Sequence, residues 1–374
     1  MNIVLKNNMD NINPNVYKRD NALMHNKISN NVELKEEYRK IKRLQRDTIN
    51  FSGKGSNMLA SDKKGYGISE IVKRFNNPIK MFFTDIDGTI RDYKGEIPLS
   101  AKGAIEKLRE NKIPVILATG RSNQELKPVL NQLGFTPDYL ITEQGACVLN
   151  KTGDILFQDT LNDKDTYKII ELAKEYKEES DKEIELILYI DGKPVACKGG
   201  CDLPTNKGFV ETIVVDSFDN LLKAGKKPTK ALFLKKSSKN IEEMNGIKNY
   251  LRENLEENLN VFNSGIWYCE VTNKTVSKGQ AIRFLSKDLS IDLKNMSGIG
   301  DAENDLDMMR VLNKEGGLSV AMGNAQECLK TEAKFVTDDI TKDGYAKAVE
   351  LILENNNRLS SGEKKGSSKL ELNA

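Results

Sequence analysis

Asp85-Ile86-Asp87-Gly88-Thr89 places two carboxylates two residues apart, directly after the apolar run Lys80-Met-Phe-Phe-Thr. In extended backbone such residues point the same way, so Asp85 and Asp87 can flank one cation, and an all-oxygen donor set suits Mg²⁺. Gly88 permits a tight turn that leaves backbone N–H groups free for an anion. Thr119-Gly120-Arg121 follows a second apolar run and offers a hydroxyl to a phosphoryl oxygen. Lys278, in Val276-Ser277-Lys278-Gly279, opens a helix. A cation does not help the positive end of a helix, so its placement there points to a facing anion. Gly298-Ile-Gly300-Asp301-Ala-Glu-Asn304-Asp305 adds a third metal-binding carboxylate, Asp301, with Asn304 and Asp305 as outer polar support. Taken singly, each cluster has an ordinary reading: an Asp-Gly turn, a strand-end Thr-Gly, a surface lysine, a capped loop.

Every cluster follows, or opens, an element that the apolar pattern marks. Short buried strands are predicted at 80–86, 113–119, Tyr139–Thr142, Met296–Gly300 and Leu318–Met322. Between them fall helical patterns: from Ser100 with Ala101, Ala104, Ile105 and Leu108 on one face, then at Gln124–Leu133, Gly279–Leu285, Asn304–Leu312, Ala325–Lys330 and Tyr345–Leu353. Strands alternating with amphipathic helices predict an α/β fold whose parallel sheet is covered on both faces. Ligands bind such sheets at the carboxyl ends of the strands, where the clusters lie. Residues 156–270 have their own helices (Thr166–Lys177, Ile241–Leu251) and alternating strands (Glu185–Ile190, Thr212–Val215, Ala231–Lys235, Trp267–Val271). They read as an inserted α/β domain whose sheet is exposed on one face.

The predicted organisation is therefore an extension at 1–78, a discontinuous core at 79–155 and 271–354, an insertion at 156–270, and a polar tail at 355–374. The extension reads as disordered or loosely attached, with one amphipathic stretch carrying Leu34, Tyr38, Ile41 and Leu44. In 374 residues, 57 basic and 55 acidic side chains leave a formal charge of +2, which gives no electrostatic reason to expect nucleic acid or an anionic membrane as partner. No apolar run is long enough to span a bilayer or serve as a secretory signal, so a cytoplasmic protein is expected. The five cysteines read as reduced thiols, and Cys197 and Cys201 lack a second pair with which to build a zinc site. The single histidine, His25, lies in the extension, which disfavours histidine base chemistry. Lys226-Lys227-Pro-Thr-Lys230 and Lys235-Lys236 read as a solvated surface of the insertion.

In this order, Asp-x-Asp-Gly-Thr, a strand-end Thr, a helix-opening Lys and Gly-Asp-x-x-Asn-Asp resemble the four motifs of haloacid dehalogenase-like (HAD) hydrolases. Thr119-Gly-Arg-Ser, Glu143-Gln-Gly-Ala, Val276-Ser-Lys-Gly, Ala321-Met-Gly-Asn-Ala and Asp343-Gly-Tyr-Ala resemble the Cof-type branch, except that Gln144 stands where the family usually has Asn. The resemblance covers about Ile79 to Leu353. It implies a Rossmann-like, doubly wound parallel sheet with an α/β cap domain, and a Mg²⁺-dependent phosphatase acting on a small phosphorylated metabolite such as a sugar phosphate, nucleotide or phosphorylated cofactor. It further implies Asp85 as nucleophile and Asp87 as general acid and base. Phosphate would be bound by Gly88, Thr119, Gly120 and Lys278. Metal would be held by Asp85, the Asp87 carbonyl and Asp301, with Asn304 and Asp305 behind. A phosphohexomutase of the same superfamily could share these motifs, and a catalytically idle binding protein is the non-enzymatic alternative.

Overall fold

A computed structural model describes residues 75–361 apart from 181–183, 198–202, 206–207, 211, 236–240, 256 and 264–266. The amphipathic stretch at 34–44, His25 and Cys201 lie outside the described residues. The strands are Met81–Thr84 (β1), Val115–Ala118 (β2), Tyr139–Thr142 (β3), Cys147–Asn150 (β4), Ile155–Gln158 (β5), Glu185–Ile190 (β6), Lys193–Cys197 (β7), Leu203–Thr205 (β8), Gly208–Val210 (β9), Ile213–Val215 (β10), Pro228–Leu234 (β11), Leu259–Asn263 (β12), Tyr268–Asn273 (β13), Met296–Gly300 (β14), Leu318–Ala321 (β15) and Phe335–Val336 (β16). The α-helices are Leu99–Glu110 (α1), Asn123–Leu133 (α2), Asp163–Ser180 (α3), Phe218–Lys223 (α4), Ile241–Asn254 (α5), Lys278–Asp288 (α6), Leu306–Lys314 (α7), Glu327–Glu332 (α8) and Gly344–Ser360 (α9).

One sheet has eight strands in the order β16-β15-β14-β1-β2-β3-β4-β5. From β16 to β3 all neighbours are parallel, and β4 and β5 join antiparallel at the edge. Every residue of β1, β2 and β15 is buried, so side chains on both faces of these strands are covered. Phe82 and Phe83, neighbours on β1 and therefore on opposite faces, are both fully buried. Each such aromatic contributes about 1.5–3 kcal/mol by leaving water. The predicted apolar face of α1 is the buried one: Ala101, Ala104, Ile105 and Leu108. Ser100, read as its start, lies inside the first turn, because the helix begins at Leu99 after Pro98. Helix α2 is held at its start by a capping box, in which Ser122 and Glu125 each accept the other's backbone N–H, and it ends at Gly134 in left-handed backbone.

A second, mixed sheet runs β10-β7-β6-β11-β13-β12. Leu188, Ala231, Phe233 and Val271 belong to an apolar cluster shared with Ile169 and Leu172 of α3 and Met244 and Leu251 of α5. Strands β8 and β9 pair antiparallel with each other. The one-side-exposed sheet expected here is corrected at β11, whose seven residues are all buried, Thr229 and Lys230 included. A buried lysine survives there because it has a partner, Glu270 of β13 at 3.1 Å.

Ile155–Gln158 pairs within the eight-stranded sheet and Tyr268–Asn273 within the six-stranded one, so the chain passes between the sheets after Gln158 and after Asn273. The crossings are laced together: Asn273 Nδ2 donates to Asp159 Oδ1 (2.7 Å) and to the Thr160 carbonyl (2.6 Å). The polar tail placed from Asn355 is helical to Ser360. Its Asn356 side chain bonds both the N–H (2.8 Å) and the carbonyl (2.7 Å) of Ile79, just ahead of β1. Among the described residues, no helix is long and apolar enough to cross a membrane, and Cys147, Cys197, Cys269 and Cys328 are unpaired.

Candidate active site

The parallel sheet brings distant loops together because strands β14, β1, β2 and β3 are neighbours and all point the same way. Asp301 follows β14, Asp85 follows β1, Thr119 follows β2 and Glu143 follows β3. The Asp85 N–H bonds the Ile299 carbonyl at 3.0 Å, which ties the end of β1 to β14. Chain order departs from β1 in both directions, which makes the gap beside it the expected ligand crevice.

Oxygens of Asp85, Asp301 and Asp305 lie within 4.8 Å of one another. Lys278, fully buried at the first position of α6, places Nζ 2.6 Å from Asp85 Oδ1 and 2.6 Å from Asp305 Oδ1. Three carboxylates against one ammonium leave an excess of two negative charges in a buried space. Burial pushes the Asp85 carboxyl up to about 7, against the opposing pull of Lys278 and with Asp305 adding to the rise. The two carboxylates at Lys278 hold its ammonium firmly protonated in spite of burial. One lysine shared by two carboxylates cannot offset the burial of both, which is why Asp85 and Lys278 both move upward. A divalent cation would relieve the excess, and the carboxylate oxygens are the hard donors it takes. Gly88 makes room for this: with φ at +91°, its backbone is one L side chains rarely adopt, and a Cβ there would stand 2.2 Å from Asp301 Oδ2.

Asp87 does not share the cluster as extended backbone would have had it. The chain turns after Ile86, where Gly88 N–H bonds the Arg91 carbonyl, and the Asp87 carboxylate goes to two arginines. Arg121 grips it with two bonds, Nε to Oδ2 (2.7 Å) and Nη2 to Oδ1 (2.9 Å), and Arg91 Nη1 reaches Oδ1 at 2.9 Å. Burial alone would raise this carboxyl, but the arginines outweigh it and hold Asp87 below its usual range, though the side chain is half exposed. Both arginines were legible as residues and had no role from spacing, since only the fold turns them toward Asp87.

The remaining predicted residues are placed as follows. Thr119 is buried, and its hydroxyl accepts the Arg121 N–H (3.2 Å), which leaves its own proton to give. Gly120 stands against the Gln144 side chain. Asn304 is exposed and directs Nδ2 to Gln144 Oε1 (3.0 Å). Asp305, expected as outer support, is in the cluster itself. Its Oδ2 accepts the N–H groups of Asp301 (3.0 Å) and Ala302 (3.1 Å), which turns the start of the predicted helix Asn304–Leu312 into a 3₁₀ turn, Glu303–Asp305, before α7. Asn324, in the Ala-Met-Gly-Asn-Ala motif, had no assigned role. Its Nδ2 donates to the Gly88 carbonyl (2.8 Å) and its Oδ1 accepts the Ile340 N–H (2.9 Å), so it pins the Gly88 loop. Ser277 caps α6 and donates to Asp307 at 2.5 Å. Lys230, read as solvated surface, is buried.

Residues 82–349 match the family of haloacid dehalogenase-like hydrolases. Among curated relatives, a phosphoglycolate phosphatase of Methanobrevibacter smithii is 28% identical over 267 residues, 71% of this chain and 95% of that one. A 5-amino-6-(5-phospho-D-ribitylamino)uracil phosphatase of Bacillus subtilis is 25% identical over 283 residues, 74% of this chain and 97% of that one. The crystal structure of a Thermotoga maritima protein superimposes with a TM-score of 0.60 at 27% identity, covering 73% of this chain and 97% of that one.

Proposed function

The chain belongs to the haloacid dehalogenase-like hydrolases, in their Cof-type branch, and on that premise we propose that it is a Mg²⁺-dependent phosphatase that hydrolyses a small phosphorylated metabolite through an aspartyl phosphate on Asp85. The buried Asp85–Lys278–Asp305 arrangement beside Asp301 is the observation that carries this reading. It combines a carboxylate nucleophile, a fixed cation and an excess of negative charge that a metal would balance.

Asp85 attacks phosphorus in line, an Asp85–phosphorus bond forms, and the ester P–O bond breaks. Asp87 gives the leaving alkoxide a proton, then takes one from the water that attacks the aspartyl phosphate and restores Asp85. To carry that proton Asp87 must loosen from the Arg121 guanidinium, which in the structure favours its ionised form. Lys278, the Thr119 hydroxyl and the N–H groups near Gly88 and Gly120 face the charge on the transferring group. Asp85, Asp301 and the Asp87 carbonyl would hold Mg²⁺, with Asp305 bracing Asp301 through its N–H and Asn304 further out. Bound there, the ion would supply positive charge for the phosphoryl oxygens.

Phosphate release from a panel of phosphomonoesters, with Mg²⁺ and with chelator, tests this. Release should need the metal, and acid quench should trap phosphate on Asp85. Full turnover in chelator, or phosphate trapped on another residue, would overturn it.

A further inference from the structure

One residue beside the reacting centre stands in a backbone it does not favour. Gln144 takes left-handed backbone (φ +63°) directly after Glu143, which does the same (φ +53°). Few residues other than glycine adopt this conformation, and Asn is enriched several-fold among those that do. It persists where the surroundings fix it, and such places cluster at active sites. Asn would sit here more easily than Gln. What Gln has over Asn is reach, one further methylene or about 1.5 Å.

That reach is used at both ends of the carboxamide. Gln144 Oε1 accepts from Asn304 Nδ2 at 3.0 Å, in the loop after β14. Its Nε2 lies against Gly120, in the loop after β2, so closely that a Cβ on Gly120 would stand 2.4 Å from it. The main chain of the turn brackets the same glycine. The Gln144 N–H bonds the Thr119 carbonyl (3.0 Å), and the Glu143 N–H bonds the Arg121 carbonyl (2.9 Å). Extended backbone turns successive N–H groups to opposite sides, whereas the left-handed pair turns both toward one loop. Gly145, next in the turn, packs its backbone on the start of α6, where a Cβ would stand 2.1 Å from the Ser277 carbonyl oxygen, one residue before Lys278. The turn after β3 therefore touches the three loops that carry Thr119 and Gly120, Lys278, and Asn304.

We propose that Gln144 is a positioning residue for phosphoryl transfer: its carboxamide clamps the Gly120 loop to the Asn304 loop and keeps the Gly120 N–H aimed at the oxygens of the transferring group. This rests on the phosphatase reading above. Gln144 acts on the phosphoryl half of the reaction, so its effect is the same for every leaving group. Shortened to Asn, the carboxamide no longer meets both neighbours, and a displacement of about 1 Å in a donor can cost about 10²-fold in rate.

The test compares Gln144→Asn, Gly120→Ala and the double variant with wild type, all as the full chain with Mg²⁺. The substrates are p-nitrophenyl phosphate and the alkyl phosphate that wild type turns over fastest, and urea denaturation follows each protein. Gln144→Asn should lower kcat by about 10–10²-fold on both esters with little change in KM, as for an interaction made in the transition state. Inhibition by orthovanadate, which mimics five-coordinate phosphorus, should weaken by a similar factor. The urea midpoint should stay at or above that of wild type, because Asn takes left-handed backbone more readily. Gly120→Ala puts a methyl where Nε2 now lies and should lower kcat likewise. Both changes act through one contact, so the double variant should lose no more than the worse single one. Wild-type kcat in Gln144→Asn, losses that multiply in the double variant, or a urea midpoint that falls with kcat would overturn the assignment while leaving the phosphatase intact. Should Gly120→Ala fail to fold, Gln144→Asn decides alone. No phosphate release by wild type from any ester would overturn the phosphatase reading, and this assignment with it.

Discussion

Lys278→Met keeps most of the side chain's length and removes its charge from the most crowded electrostatic position in the molecule. Nζ now lies 2.6 Å from both Asp85 and Asp305, with no exposure to water. Removing one partner of a buried pair costs about 3–5 kcal/mol, because the other charge stays behind uncompensated. A carboxylate left this way can lower the cost by binding a proton. Asp85 is already pushed up to about 7 by burial against the pull of Lys278, so without Lys278 it moves higher. A carboxyl whose folded pKa exceeds its unfolded value binds a proton on folding. The stability it contributes is therefore fully present below the unfolded pKa, declines between the two values, and is lost as pH rises through the folded pKa. The variant should thus fall about 3–5 kcal/mol below wild type at pH 8 in chelator and regain about 1.4 kcal/mol of that by pH 5, because only between about 7 and 8 is the wild-type Asp85 ionised while the variant's keeps its proton. Mg²⁺ at a hundred times its Kd should return about 2.7 kcal/mol at pH 8. Urea denaturation at pH 5, 6.5 and 8, with and without Mg²⁺, measures each part, and phosphate release should drop by about 10²–10³-fold. Equal stability at pH 8, or a deficit independent of pH, would refute the view that Lys278 acts by offsetting buried negative charge.

Asp85→Asn should fold, melt higher than wild type in chelator because one buried negative charge is gone, and show essentially no phosphate release; a variant with near wild-type turnover removes Asp85 as nucleophile. Asp87→Asn should slow an alkyl phosphate by about 10²–10⁴-fold. With an aryl phosphate it should give a burst of phenol, since phenolate leaves without a proton while the aspartyl phosphate waits for its water. Steady wild-type rates on both would leave Asp87 without a catalytic part. A chain ending at residue 354 loses the two Asn356 bonds to Ile79 and the Arg358 bond to the Phe75 carbonyl (3.1 Å). At about 1 kcal/mol each it should be roughly 2–3 kcal/mol less stable than a chain ending at 361; unchanged urea midpoints would show that the last turns of α9 add nothing to the fold.

Much of the parallel sheet is legible in the sequence. Apolar runs gave β1, β2, β3, β14 and β15 to within a few residues, because strands buried on both faces carry no polar alternation to confuse with solvent-facing elements. Strand-end position marked Asp85, Thr119 and Asp301, and an electrostatic oddity, a cation at the positive end of a helix, marked Lys278. What spacing could not supply was direction. Asp85 and Asp87 are two apart in sequence, yet the turn at Gly88 sends one into a buried cluster and the other to Arg121 and Arg91. The polar face of β11 was read as solvated because Thr and Lys ordinarily are, and alternation cannot tell water from a buried partner.

By itself, then, the sequence determined five strands of the parallel sheet, the helices beside them and which residues stand at the carboxyl ends of those strands, since these follow from local pattern and chain order. The edge strands β4, β5 and β16 and the short strands β7, β8, β9 and β12 of the insertion were not read from it. Tertiary structure alone decided partnership. Lys278 stands between two carboxylates 193 and 27 residues away along the chain. Arg121 grips Asp87 from the neighbouring strand's end. The Thr229 hydroxyl, on a strand of the second sheet, donates to Glu143, which follows a strand of the first. Charge interactions depend on separation in space and on exclusion of water, and a linear pattern carries neither.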